Sequence, residues 1–435
     1  MLPSETDLYT PLVARFFTIQ DITNGDPQKN YLVRYRGALH TDSIAAYDQL
    51  TTLLQPLGLT PLFRTEKGQQ VIYLVKSLPR PRPSNPWVNV IMLLLTIFSV
   101  TFVGAISSYT GSGDFLQQVQ YALVHLWKGA PFAASLMAIL LAHEFGHYLV
   151  GRWHKTHVTL PYFIPMPLPP FGTMGAVIQM KELPRNRRIL LDIGLAGPLA
   201  GLAVAIPILL LGLSMSQVGP INPSPGEGFV LEGNSLLYLF LKYLSFGQLL
   251  PAPASYDGVA PLLYWLRYYL TATPLPVGGT DVFISPVAWA GWAGLLVTSL
   301  NLIPAGQLDG GHILYVLIGS RMRQVWPVVV LILGALGIFW MGWWLWALII
   351  LLFGRFYDEP LDQITLLNPG RKALALFGML IFILVFIPVP LVEGMNAPAA
   401  PSLLAPLGLL LISFHLLRRR PTASPGQFPG AGDGR

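Results

Sequence analysis

Residues Pro131–Trp153, PFAASLMAILLAHEFGHYLVGRW, form an apolar run that carries His143, Glu144 and His147 in its middle. At ~1.5 Å of rise per residue such a helix covers the ~30 Å hydrocarbon core of a bilayer. An ionisable group at that depth is costly unless it has a partner, so three of them together mark a functional site rather than a packing accident. The partner suggested by the residue types is a metal ion.

The whole chain carries the same signature. Of its 435 residues, 53% are hydrophobic and only 11% are charged, far from the roughly one-quarter charged make-up of a soluble domain. Mean hydropathy is +0.55, which reads as an integral, multi-pass protein of the lipid bilayer. The formal charge of +6 sits beside apolar segments, at Arg185–Arg188, Arg321–Arg323, Arg371 with Lys372, and Arg418–Arg420. That placement follows the positive-inside pattern and implies no nucleic-acid partner. With no cysteine in the chain, a transition metal would have to be held by His and carboxylate. The opening residues, MLPSETDLYTPLVARFF, lack a basic stretch followed by an apolar core, so they do not read as a secretory signal.

The fold class expected is an all-α polytopic membrane protein of about six to eight transmembrane helices, preceded by a small cytosolic α+β domain. Residues 1–78 alone have a soluble-like balance: a strand over Tyr31–Leu39, helical spacing over Asp42–Leu57, and a hairpin around Lys67-Gly68. Residues 79–86, PRPRPSNP, form a stiff linker. Residues 87–418 form the membrane domain, with its core over 131–320, and 421–435 form a disordered tail. The apolar runs are Trp87–Ser108, Pro131–Trp153, Ile189–Met215, Phe283–Ile318, Val325–Phe353, Ala373–Val392 and Leu403–Leu417. Val325–Phe353 is too long for one span and folds as a hairpin at its glycines. Counting it as two crossings gives eight, and every arginine cluster then falls on one face. Leu236–Leu250 and Leu262–Leu270, within the Ser216–Thr280 loop, read as interfacial or re-entrant pieces.

Positions four apart on a helix face the same way, so His143 and His147 can reach one ion. HExxH on a helix is a zinc signature, in which the glutamate takes a proton from water activated by the metal. Tetrahedral zinc needs a further protein ligand. The local soluble pattern fails, because Val150 and Trp153 stand where glycine and histidine would be required. The best third ligand is Asp309, within Asn301-Leu-Ile-Pro304-Ala-Gly-Gln-Leu-Asp309-Gly310-Gly311-His312. Pro304 and the glycines break the helix there, and irregular backbone at membrane depth needs a protein-lined or wet cavity.

HExxH in a membrane helix, followed far downstream by NxxPxxxxDG (His143–His147, then Asn301–Gly310), resembles the site-2 protease family of intramembrane zinc metalloproteases. The likeness covers roughly Pro131–Ser320 and includes Gly172-Thr-Met-Gly175 and Ala196–Gly201. It is nearest to the EGY-type branch, which lacks a PDZ domain between the motifs. The resemblance implies one zinc ion on His143, His147 and Asp309, Glu144 as general base, and Asn301 as a group that binds the substrate carbonyl. It also implies transmembrane protein substrates and regulated intramembrane proteolysis. Thr173–Met180 has strand composition and could pair with an unwound substrate, with Gly172 and Gly175 in that substrate-binding role, or could be an ordinary interfacial turn.

Other groups carry blander readings. Leu160–Pro170 holds five prolines and is a gate or a connector. His312 lies behind the metal ligands or at the surface, His154 and His157 flank the metal helix, and Asp192 is a snorkelling or capping acid. The 197–201 glycines permit close helix packing, and Trp343 with Trp344 fits an aromatic belt. The alternative function is a catalytically inactive membrane scaffold or chaperone. The expected location is a bacterial cell (inner) membrane with the active site toward the cytosol. Nothing in the sequence sets an oligomeric state.

Overall fold

A computed structural model describes residues 5–25, 31–77, 84–111, 113–222 and 230–393. Helix dominates, with a strand-rich region at the N-terminus. There α1 (Glu5–Ala14) leads into β1 (Phe17–Asn24) and β2 (Val33–Leu39); α2 (Ser43–Leu54) follows, then β3 (Leu59–Glu66) and β4 (Gln69–Lys76). The antiparallel sheet has the order β1-β2-β4-β3. Asp42 caps α2 by accepting from the amides of Ile44 and Ala45. The β3–β4 turn uses Lys67 and Gly68 at φ 48° and 83°, the left-handed pair that matches strand twist in a two-residue hairpin. Phe17, Tyr35, Leu50, Leu54, Phe63 and Ile72 fill the core between sheet and helix.

The remainder is built on helices. α3 (Pro86–Ser107) and α4 (Phe115–Val124) precede α5 (Ala130–Trp153), the helix that carries His143, Glu144 and His147. Next come the paired strands β5 (Tyr162–Pro165) and β6 (Thr173–Val177), and then α6 (Arg187–Ser214). Beyond α6 lies a lobe of β7 (Gln217–Pro220), β8 (Val230–Glu232), α7 (Leu236–Phe246), α8 (Pro261–Thr271) and β9 (Thr280–Phe283). The chain continues through α9 (Pro286–Asn301), α10 (Asp309–Ile318), α11 (Trp326–Leu336), α12 (Gly342–Phe353), α13 (Pro369–Val385) and β10 (Leu391–Glu393). β7 pairs with β9, and β10 pairs with β8.

Among the described residues three helices are long and apolar enough to cross a membrane: α3, α5 extended back to Leu126, and α6. A fourth span arises if the segments Asp309–Gln324 and Trp326–Leu336, bent by 85° at their junction, are taken as one. Ile91, Leu94 and Phe98 of α3 and Leu149 of α5 are exposed, whereas His143, Glu144 and His147 of α5 are buried. This inversion of the soluble pattern is what lipid as solvent requires.

The N-terminal sheet is bound to the membrane helices by a strap. The Phe63 amide donates to Leu361 O at 3.0 Å and the Gln363 amide to Phe63 O at 3.1 Å. On the strap's other side, the amides of Leu361 and Asp362 donate to Pro184 O and Arg185 O. Residues 361–363 thus lie between the β3 edge and the segment that enters α6. Leu361 and Ile364 complete the N-terminal core, and Ser43 Oγ donates to Thr365 Oγ1 at 3.2 Å.

Tyr162–Pro165, inside the proline-rich stretch read as a gate or a connector, is a strand, because proline fits an edge strand that needs no donor. Two expectations need correction. Trp343 is fully buried, its indole donating to Pro388 O, while Trp344 is exposed as a belt residue would be. Asp192 does not snorkel: Arg371 donates to it at 3.0 Å and His154 Nε2 lies 3.1 Å away. Leu403–Leu417, Arg418–Arg420, the 421–435 tail and linker residues 79–83 lie outside the described residues.

Candidate metal centre

α5 presents His143, Glu144 and His147 on its inner side, 2%, 4% and 5% exposed. His147 Nδ1 lies 2.7 Å from Ile193 O. A carbonyl only accepts, so Nδ1 carries the proton and the Nε2 lone pair faces the site. Asp309 opens α10 after the broken stretch 302–308. That stretch folds back tightly on the first turn of α10: a Cβ at Gly310 would stand 1.9 Å from Leu302 O, and one at Gly311 2.3 Å from Gly306 O. Gly306 itself has φ +60°, a conformation that glycine adopts without cost.

Three ligand atoms converge from these two elements. His143 Nε2 and His147 Nε2 are 3.2 Å apart, and Asp309 Oδ2 is 3.3 Å from each. With zinc–ligand bonds of ~2.0–2.1 Å, the edge of a tetrahedron is ~3.3–3.4 Å. The triangle therefore has the size of one face of a zinc site, and the donor set of two imidazoles and a carboxylate suits that ion. His143, His147 and Asp309 are, among the described residues, a group that could hold a metal. Asn301, the last residue of α9, places its Nδ2 3.1 Å from His143 Nε2, at the rim of the same triangle.

The glycines of the 172–175 turn have separate fates. Gly172 (φ +76°) is packed on α3, where its Cβ would meet Ser99 O at 2.7 Å, and its carbonyl accepts from Ser99 Oγ. Gly175 (φ +91°) faces open space on β6. Neither touches the triangle. His312 is buried, its Cβ against Gly194, and is not part of the ligand group.

Sequence reasoning missed two supports of the site. Arg187, read only as a topology signal, bonds to Tyr315 O and Val316 O and so anchors the C-terminal end of α10 as a cation at a helix terminus does. Asp192 joins α5, α6 and α13 through His154 and Arg371. Both could have been suspected from an acid and an arginine placed among apolar residues at one helix start.

Residues 131–340 match Peptidase family M50. The chain is 28% identical over 335 residues to "Probable zinc metalloprotease EGY1, chloroplastic" of Arabidopsis thaliana, covering 73% of this chain and 56% of that protein. It is 29% identical over 405 residues to "Probable zinc metalloprotease EGY2, chloroplastic" of the same plant, covering 89% and 66%. To "Probable zinc metalloprotease EGY1, chloroplastic" of Oryza sativa subsp. japonica it is 28% identical over 336 residues, covering 73% and 53%. The chain thus spans between about half and two thirds of the length of these relatives. No solved structure matches it.

Proposed function

Because residues 131–340 form a Peptidase family M50 domain, we propose that the protein is an intramembrane zinc metalloendopeptidase that hydrolyses peptide bonds in or near transmembrane segments of other membrane proteins. The observation that carries this reading is the triangle of His143 Nε2, His147 Nε2 and Asp309 Oδ2, closed between a helix apolar enough to cross a membrane and a second helix far from it in sequence. Those three residues hold the ion. Bound there, zinc supplies a Lewis acid for the peptide carbonyl and lowers the pKa of water.

The chain's own groups do the rest. Glu144, on the same helix turn, takes the proton of the attacking water and returns it to the leaving amine. The Nδ2 of Asn301 donates to the carbonyl oxygen as charge develops on it. Substrate unwinds and adds as a strand along Thr173–Met180. Gly172 supports that strand from behind by packing on α3.

The domain reading is 1–78, a linker to 86, and a membrane domain over 87–418 with six to eight spans. Its orientation places the N-terminal domain and the arginine clusters on the cytosolic side, as in a bacterial inner membrane. Arg64 and Arg323 both pair with Glu359 and Arg371 pairs with Asp192, which supports one common face for these clusters. The relatives named above are chloroplastic.

The test compares zinc content and cleavage of a model transmembrane substrate for wild type and Glu144→Gln. One zinc per chain in both, with cleavage lower by about 10²–10⁴-fold in the variant, is expected. Wild-type cleavage by the variant would remove Glu144 as base, and active protein free of zinc would remove the metal.

A further inference from the structure

α6 passes α5 with Gly194, Gly197 and Gly201 at spacings of three and four, on one helix face. Each lies against a histidine. A Cβ at Gly194 would stand 3.1 Å from His312 Cβ, and one at Gly201 3.1 Å from His143 Nδ1. Gly197 differs in degree: its Cβ would stand 1.9 Å from His147 Nε2, 2.3 Å from Cδ2 and 2.5 Å from Cε1. A contact of 3.1 Å is relieved by a shift of a few tenths of an ångström. One of 1.9 Å is far inside contact distance, and with Cδ2 and Cε1 at 2.3 and 2.5 Å the methyl group would lie over the ring face at its Nε2 edge. The ring has no room to retreat, because Nδ1 is tied to Ile193 O, one turn earlier on the same helix.

We propose that Gly197 is a positioning residue of the metal centre, leaving space over the ring face of His147 at Nε2 while Ile193 O holds Nδ1. A methyl group at 197 would force the imidazole to rotate, breaking the Nδ1–H···O bond and moving Nε2 out of register with His143 and Asp309. The proposal rests on the metal reading above. It concerns how one ligand is aimed and gives Gly197 no contact with substrate.

The experiment uses the full chain in detergent. Zinc affinity is measured by competition with a chelator, and the unfolding midpoint of the metal-free protein is measured for wild type, Gly197→Ala, His147→Ala and the double variant. Gly291→Ala serves as the control, since the nearest atoms to a Cβ there belong to Leu209 in the α6–α9 packing, 2.8 Å away, and not to a histidine. Gly197→Ala should weaken zinc binding by at least about tenfold, the loss typical when a group that orients a ligand is disturbed. Its metal-free midpoint should fall in the wild-type background and recover in His147→Ala, where the missing ring makes space for the methyl group. Gly291→Ala should lower the midpoint equally in both backgrounds and leave zinc affinity within about twofold, a purely packing effect. Wild-type zinc affinity in Gly197→Ala, or an equal fall of the midpoint in both backgrounds, would overturn the proposal. A wild-type chain that binds no zinc overturns the metal reading instead, and the metal-free cycle still decides whether 197 and 147 are coupled.

Discussion

At the scale of single residues the site rests on opposed constraints around each ligand. Asn301 illustrates one: its Nδ2 points at the nitrogen of His143 that also faces the triangle, so the amide is available to an oxygen lodged there. Asn301→Ala should keep the zinc and lower cleavage by about 10²–10³-fold, the cost of removing one preorganised donor. A variant with unchanged turnover would take Asn301 out of the reaction. Asp192 illustrates the other, holding His154 and Arg371 at once while only 19% of its side chain is exposed. Asp192→Asn should destabilise the protein by ~1–3 kcal/mol, as for a hydrogen bond to a charged group. An unfolding midpoint equal to that of wild type would show that the three helices do not depend on this acid.

At the scale of elements, the strap over residues 361–363 makes the N-terminal sheet and the start of α6 one hydrogen-bonded unit. The chain contains no cysteine, so a pair introduced at Ser43→Cys and Thr365→Cys has no competitor. Their hydroxyls are 3.2 Å apart and buried, and a disulfide should form in high yield under mild oxidation. Failure to cross-link would place the N-terminal domain elsewhere. Leu361→Asp should put a charge into the apolar core beside Phe63 and release the domain, read as increased amide exchange over 59–76.

Much of this level was legible in the sequence. The α2 helix, the Lys67-Gly68 turn, the break at Pro304–Gly306 and the two metal-site segments all carry local signals, a cap, a turn pair or a motif, that need no tertiary knowledge. The strap, the β5 strand and the burial of Trp343 do not. Each is decided by a partner in another segment: Arg185 and Phe63 for the strap, β6 for β5, Pro388 O for the indole. His143, His147 and Asp309 were nameable, but the role of Gly197 was not, because a glycine advertises small size without saying which side chain occupies the space.

At the scale of the whole molecule, a second polar cluster lies in the lobe beyond α6. Lys242, fully buried, has Asp281 at 3.5 Å and Glu232 at 3.9 Å, and Tyr238 donates to Glu232 at 2.9 Å. Burial raises Glu232 from its ordinary 4.5 to about 7, against the pull of Lys242 and with a push from Asp281; Tyr268 also faces the acids. The folded lobe therefore holds a proton that the unfolded chain releases between about pH 4.5 and 7. Its stability should be greatest below that window and fall as pH rises through it. Amide exchange over 230–283, corrected for its intrinsic pH dependence, reads this directly, and Glu232→Gln should abolish the slope. A flat profile in wild type would mean that Glu232 stays ionised beside Lys242.

The strap also fixes an order of events in synthesis. Arg64 and Leu361 meet across 297 residues of sequence, so the N-terminal sheet is made long before the segment that covers its edge and fills its core. At about 5–20 residues per second, roughly 15–60 s pass with the β3 edge open. An open edge is a template for pairing with other chains. Until α12 has been made and residues 361–364 have returned to the sheet, the first domain of the nascent chain remains unfinished and in need of protection.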